Sequence, residues 1–577
     1  MGLGIYRFRG VAIAWACGCG LSHAQVNVAT FHNDAARTGQ NAVESVLTPA
    51  SVNATDFGKL YSVTVDGAVY TQPLYVSSVN IAGGSHNVVY VATEHDSVYA
   101  IDADSGTVYA HVSLIPAGGN TVNTATEFDC SDLVPEIGIT GTPVIDTVSG
   151  TLYVVAASEV NGQFAQYLHA LDIATLAEKL GGPVSIQAAV PGSGYDSKNG
   201  SVIFNPLAEN QRAALLLNNG HVVIGWSSHC DDDPWHGWVM SYSASTLAQE
   251  AAFNTSPNSG HTGVWMSGAG PAADAAGNIY FATGNGYWNG TTEFGDSIVK
   301  LGPPAAGGFP VLDYFTPYDQ ASLDAGDTDV ASGGVLLLPV LPSGRQLLAQ
   351  QGKTGTLYVL DTQNLGKYCA TLTPACTEND PQIVQEIMGA TAGIWGAPAY
   401  WNGNLYWGGV NDALKAFSFA VNQSGLIGAQ PTSRSPQIFG YPGAAVSVSA
   451  AGAAGGILWA AGNSTCGGKA CQGLFAYDAG NLTTLLYDSN QAANNRDGSG
   501  NLVKFAVPTV ANGKVFLGTQ NALVAYGLLA GVLPAAASPT LSPAPGSYTS
   551  PQTVTLSDTT PGAAIHYTTD GSVPTAS

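Results

Sequence analysis

The chain has 577 residues, with 17 Lys and Arg against 40 Asp and Glu, a net charge of -23. So acidic a surface repels phosphate backbones and anionic lipid headgroups, which excludes nucleic acid as a partner. Its composition is 45% hydrophobic and only 10% charged, and 71 Gly, 31 Pro and 25 Tyr favour many short strands joined by tight turns, so an ordered, all-β chain is expected.

At the N-terminus, Arg7 and Arg9 precede a mostly apolar run from Val11 to Leu21, and Ser22-His23-Ala24 stands before Gln25. This is the pattern of a secretory signal over residues 1–24. The apolar run is shorter than the roughly 20 residues a spanning helix needs, so no transmembrane segment is expected. Export to the periplasm or the cell exterior follows. Six cysteines remain after residue 24, an even number that suits an oxidising compartment. The sequence does not fix their pairing, but close spacing favours Cys369 with Cys376 and Cys466 with Cys471, which leaves Cys130 with Cys230. Zinc is the competing use, but the chain has no Cys-x-x-Cys pair.

Beyond the signal a repeat appears. Val88–Ala92, Ser97–Asp102 and Thr107–Ala110 read as strands, with Asp102-Ala-Asp-Ser-Gly106 as the hairpin turn. Comparable groups follow at Thr142–Asp172, Val222–Tyr242, Asn278–Leu301, Gly355–Asp361, Asn404–Trp407, Gly456–Asp478 and Lys514–Tyr526. Units of about 40 residues or more with four short strands each mean a β-propeller, of about eight blades here. The last unit lacks a fourth strand, and Lys59–Val65 is a strand without a unit, so pairing the two closes the ring. Residues 25–529 are assigned to this propeller. Residues 530–538, rich in Ala, Pro and Ser, read as a linker. Ser542–Leu556 and Ile565–Gly571 then alternate as half-buried strands.

The densest chemistry lies between His221 and Trp288. HVVIGWSSHCDDDPWHGWVMSY is followed by GVWMSGAGPAADAAGNIYFATGNGYWNG. Aspartates, Trp and Asn side chains stand here between apolar runs, in a chain that spends few charges elsewhere.

These patterns resemble the quinoprotein alcohol dehydrogenases, from about Phe31 to Tyr526 and most strongly between Cys130 and Asp361. The resemblance implies an eight-bladed quinoprotein-like propeller holding pyrroloquinoline quinone (PQQ) and calcium. It places Trp265, in Gly-Val-Trp-Met-Ser-Gly, as the flat surface beneath the quinone. Asn285, in Thr283-Gly-Asn-Gly286, and Asp231 or Asp232, with Asp232 preferred, ahead of His236-Gly237, become metal ligands. Asp327, preferred over Asp324 and Asp329 in the segment after Thr316-Pro-Tyr-Asp319, becomes the catalytic base, and Lys353, in Lys-Thr-Gly-Thr-Leu-Tyr358, the cation near the quinone oxygens. Trp395 joins them as a cofactor-binding candidate. Hard oxygen ligands suit calcium, and a cation beside a carbonyl with a nearby carboxylate suits hydride transfer from an alcohol. Residues 539–577 resemble the chitobiase/β-hexosaminidase C-terminal type of β-sandwich, cut short at Ser577.

The sequence also departs from the pattern. Cys130-Ser131-Asp132 stands where the dehydrogenases carry adjacent cysteines over the quinone. Asp replaces Glu at the metal position, and His236 replaces Arg. No Cys-x-x-Cys-His haem motif is present, so electrons would pass to an external acceptor. Two functions are therefore expected in competition. One is a secreted, non-catalytic propeller that binds glycan or protein partners. The other is a PQQ- and calcium-dependent dehydrogenase acting on an alcohol or sugar.

Overall fold

The computed structural model describes residues 26–529, save 306, 370–375, 422–424 and 467, together with 539–543, 548, 550, 552–557, 567 and 568. The expected signal (1–24) and linker (530–538) lie outside the described residues, as does most of the expected strand over 565–571. Val26–Leu533 form one compact unit, and the described residues beyond Pro534 belong to a second.

The first unit is a succession of four-stranded antiparallel meanders, the β-propeller expected from the repeats. The first runs Leu74–Ile81, Gly84–Ala92, Ser97–Asp102, Val108–Ser113. Its opening strand is largely buried while its fourth alternates between exposed and half-buried, so each sheet turns its first strand to the centre and its last outward. Five more sheets repeat this order, their first strands being Val144–Asp146, Leu216–Asn218, Ala272–Ala273, Leu336–Leu337 and Ala399–Trp401. The strand Ser433–Ala451 pairs with Asp412–Ser418 on one side and Ala454–Cys466 on the other, so it serves two meanders. Last comes Thr509–Ala511, Lys514–Gly518 and Ala522–Leu528, and here Phe57–Thr64 supplies the missing fourth strand, as the unpaired segments foretold.

Stacking sheets face to face buries both sides of each strand. Val88, Tyr90 and Ala92 pack with Ile145, Leu152 and Val154 of the following sheet. The alternate residues Val89 and Val91 pack with Phe516, Leu523 and Ala525 of the last sheet. A period-two strand with two buried faces reads as a continuous apolar run, which is what Val88-Val-Tyr-Val-Ala92 is. The contact with the last sheet also closes the ring.

A ring of sheets leaves the inner edges of its first strands with unpaired backbone groups, which are costly to bury. Residues 28–41 meet them in turn. Val28 exchanges hydrogen bonds with Tyr75. The carbonyls of Ala29, Ala35, Ala36, Thr38 and Gly39 accept from the N–H groups of Ile145, Ala273, Leu337, Tyr400 and Val448, all at 2.8–2.9 Å. Asn41 Nδ2 donates to Val510 O at 3.1 Å. The remaining sheet is reached by Arg37, which is fully buried. Its Nη2 donates to Leu215 O, its Nε to Pro271 O and its Nη1 to Phe31 O. Gly39 has φ +64°, and a side chain there would strike the ring of His32. The sequence reading gave this segment no role.

In the second unit, Thr540–Ser542 pairs antiparallel with Thr555–Ser557, in line with the alternating pattern over 542–556.

Replacing Arg37 with Met strands three buried carbonyls from different parts of the ring, so a loss of at least ~3 kcal/mol is expected. Urea unfolding of Arg37→Met measures it, and an unchanged midpoint would show that Arg37 does not tie the sheets.

Candidate functional site

The inner strands share a direction. Arg212 lies three residues ahead of Leu215, and Trp265 six ahead of Pro271, so the ends opposite the Arg37 clamp converge elsewhere on the axis. There a cavity of about 330 Å³ opens, lined by Trp265, Asn285, Asp327, Lys353 and Trp395 among others. These five candidates lie far apart in sequence and meet because each sits where a strand enters or leaves the inner part of its sheet. Asp232 is not in the lining; Asp231 is. Cys230 is held by its disulfide, and both Cys230 and Asp231 have positive φ, so the loop turns sharply and successive side chains diverge. Asp231 bonds Ser228 Oγ at 2.7 Å, Asp232 is exposed, and Asp233 pairs with His261.

Lys353 and two aspartates form the acidic end. The Lys353 ammonium lies 2.7 Å from Asp327 Oδ1 and 2.8 Å from Asp329 Oδ2. Burial works against its charge, but Asp329 and Asp327 outweigh it and hold its pKa above that of a free lysine. The two carboxylates differ sharply in setting: the Asp327 side chain is 62% exposed and that of Asp329 only 6%. Asp329 Oδ1 also accepts from the Asn285 N–H at 2.7 Å. Gly284 makes this approach possible, because a Cβ there would stand 2.7 Å from Asp329 Oδ1 and 3.5 Å from Trp265 Nε1. Loss of solvent and then the charges of Asp329 and Asp327 raise the pKa of Asp231, so the three carboxylates share one field. The sequence offers Asp324, Asp327 and Asp329 after Thr316-Pro-Tyr-Asp319, with Asp327 preferred; of the three, Asp327 and Asp329 line the cavity.

The opposite end is cationic. Arg212 lies between the rings of Tyr70 and Phe505, its guanidinium carbon 5.5 and 5.0 Å from their centroids. Burial lowers its pKa, against the pull of the nearby Glu94, which is itself fully buried. Glu94 Oε2 accepts from Gly138 N and Thr140 Oγ1. Burial pushes this carboxyl up to about 7.

Four residues in the cavity wall keep a buried polar atom without a hydrogen-bond partner among the described residues: Thr124 Oγ1, Asn210 Oδ1, Arg212 Nη2 and Trp235 Nε1. Such atoms cost free energy unless something meets them. The Cys130–Cys230 disulfide also lines the cavity. The adjacent-cysteine cover is absent, as the sequence indicated, but a disulfide between residues 100 apart stands in the same wall as Trp265. The pairs Cys369–Cys376 and Cys466–Cys471 form as expected.

The cavity therefore presents a flat indole, a buried cation with an unpaired N–H, and a lysine beside a buried carboxylate. That set fits a planar ring bearing carboxylates. Among the described residues no group of three or more His, Cys, Asp or Glu is arranged to hold a metal ion, and in the cavity Lys353 pairs with both Asp327 and Asp329.

Glu94 gives the site a pH signature. Its folded pKa, about 7, lies above the ordinary 4.5, so the stability it lends is full below about 4.5 and is lost as pH rises through about 7. Melting curves at pH 5 and 8 test this: Glu94→Gln should reduce the loss at the higher pH by about 3 kcal/mol. An equal loss in the variant would show that Glu94 is not the titrating group.

Residues 543–577 match the family model of the chitobiase/beta-hexosaminidase C-terminal domain. No curated protein matches the sequence. Among solved structures, the quinohemoprotein alcohol dehydrogenase of Pseudomonas putida HK5 is 14% identical with a TM-score of 0.54, over 89% of this chain and 82% of that one. The quinohemoprotein alcohol dehydrogenase of Comamonas testosteroni is 15% identical with a TM-score of 0.53, over 90% and 83%. A europium-containing methanol dehydrogenase is 12% identical with a TM-score of 0.51, over 87% and 98%. By its sheets and by these likenesses, the chain has the β-propeller fold of the quinoprotein alcohol and methanol dehydrogenases.

Proposed function

We propose that this protein is an extracytoplasmic oxidoreductase that binds PQQ in the axial cavity and oxidises an alcohol or sugar. One observation carries the reading: Trp265, Asn285, Asp329 and Lys353 converge on a cavity whose wall keeps four buried polar atoms unpaired. We count Ser433–Ala451 in two blades, which makes the ring eight-bladed. Three disulfides support an oxidising compartment and agree with a signal over residues 1–24. Among the described residues no helix is long and apolar enough to cross a membrane.

Trp265 offers the stacking face and Arg212 the partner for a carboxylate. When bound, the quinone supplies a two-electron acceptor. Asp329 replaces Asp327 as the base: it is buried, paired with Lys353 at 2.8 Å and fixed by the Asn285 N–H, so it accepts the hydroxyl proton of the substrate. Asp327, the more exposed of the two, anchors the Lys353 ammonium from the solvent side. Lys353 is the fixed cation that polarises an oxygen placed against it, and no step is assigned to calcium. Electrons leave to an external acceptor.

A second reading, a non-catalytic glycan-binding propeller, draws on the match of residues 543–577. Reconstitution separates the two. Saturable PQQ uptake is expected, with or without calcium, weakened at least about tenfold in Trp265→Ala and in Arg212→Leu. Asp329→Asn should keep uptake and lose dye-linked alcohol or sugar oxidation by about 10²–10⁴-fold. No saturable uptake by the wild-type protein would sink the oxidoreductase reading and leave the glycan-binding one.

A further inference from the structure

The axial cavity does not end at Trp395. A second pocket of about 180 Å³ shares Trp395, Tyr441, Lys504 and Phe505 with it, so the two adjoin. Its outer part lies across the strands Ser433–Ala451, Ala454–Cys466 and Lys469–Asp478. Small residues such as Gly443, Ala461 and Gly462 leave its floor open.

The chemistry of this groove differs from that of the cavity. Lys504 is the charged residue of its lining, and it is paired with Asp132 at 2.8 Å. In a chain of net charge -23, the groove is a neutral strip. Tyr441 is 52% exposed and stands in a T-shaped contact with Trp395, with centroids 5.8 Å apart and planes at 72°, so the two rings are not stacked face to face. Beside them are side-chain amides held in place: Asn463 Nδ2 donates to Tyr441 O, and Gln472 accepts from Leu502 N while donating to Asn501 Oδ1. Asn501 in turn donates to Gln520 Oε1. A carboxamide has two N–H groups and two lone pairs, so each of these keeps capacity for a ligand that both donates and accepts.

We infer that this groove binds a neutral oligosaccharide and feeds its end into the axial cavity. Aromatic faces take the C–H faces of sugar rings, amides pair with hydroxyls, and the lack of a free charge selects against phosphate and carboxylate ligands. The inference rests on the proposed oxidoreductase for what happens at the chain's end, but the binding it describes needs no cofactor.

Titration calorimetry on the full-length, cofactor-free protein with cello- and chito-oligosaccharides of one to five units tests it. Affinity should rise about tenfold from one unit to three in at least one series. Tyr441→Ala and Gln472→Ala should each weaken trisaccharide binding about three- to tenfold, and monosaccharide binding less. Both variants leave residues 543–577 unaltered, so sugar held by that segment does not mimic the result. Affinity independent of chain length, or a length dependence untouched in whichever variants fold as the wild type does, overturns the groove. Absent PQQ uptake with intact length dependence overturns the oxidoreductase alone.

Discussion

The structure depends on how its ring is filled at the centre. Each sheet brings a first strand to the axis with one edge unpaired, and residues 28–41 answer those edges sheet by sheet through their own carbonyls and through Arg37 and Asn41. A buried guanidinium is expensive on its own, yet Arg37 is the group whose fork of donors reaches carbonyls from different sheets at once. Filling one end of the axis this way leaves the other free to hold a cavity. The inner strands, fixed at the clamp, deliver their opposite ends to the cavity wall.

Charge is placed with the same economy. The cavity concentrates a lysine between two aspartates at one end and an arginine between two aromatic rings at the other. Burial shifts Glu94 toward neutrality even though Gly138 and Thr140 hydrogen-bond its carboxyl. Lys353 instead keeps its charge against burial through Asp329 and Asp327. Next to this polar cavity the Tyr441 groove is nearly free of charge. The cavity and the groove share Trp395, Tyr441, Lys504 and Phe505, so an ionic space and a nearly neutral one lie side by side.

The propeller was legible because its signal is repeated. Runs such as Val88–Ala92 and turns such as Asp102–Gly106 recur, and each copy supports the others. The pairing of Phe57–Thr64 with Ala522–Leu528 was legible too, since both segments lacked a partner. Much of the site could be read where a motif fixed a residue within a strand–turn pattern, as with Trp265, Asn285 and Lys353. It failed where the backbone leaves the regular ladder. Asp231 and Asp232 are neighbours in a loop, and only the positive φ at Cys230 and Asp231 decides which of them reaches the cavity. Asp327 and Asp329 look alike in sequence and differ by burial.

By itself the sequence determined the all-β class, the repeat, the closing strand and the stretch around which the chemistry gathers. These follow from local periodicity and from counting, which need no third dimension. The tertiary structure decided what depends on bringing distant backbone together: the role of residues 28–41, the choice of Asp329 and Asp231, the aromatic seat of Arg212, and the groove beyond Trp395. Those are properties of contacts between sheets, and a residue's neighbours across a sheet interface leave no trace in its own stretch of chain.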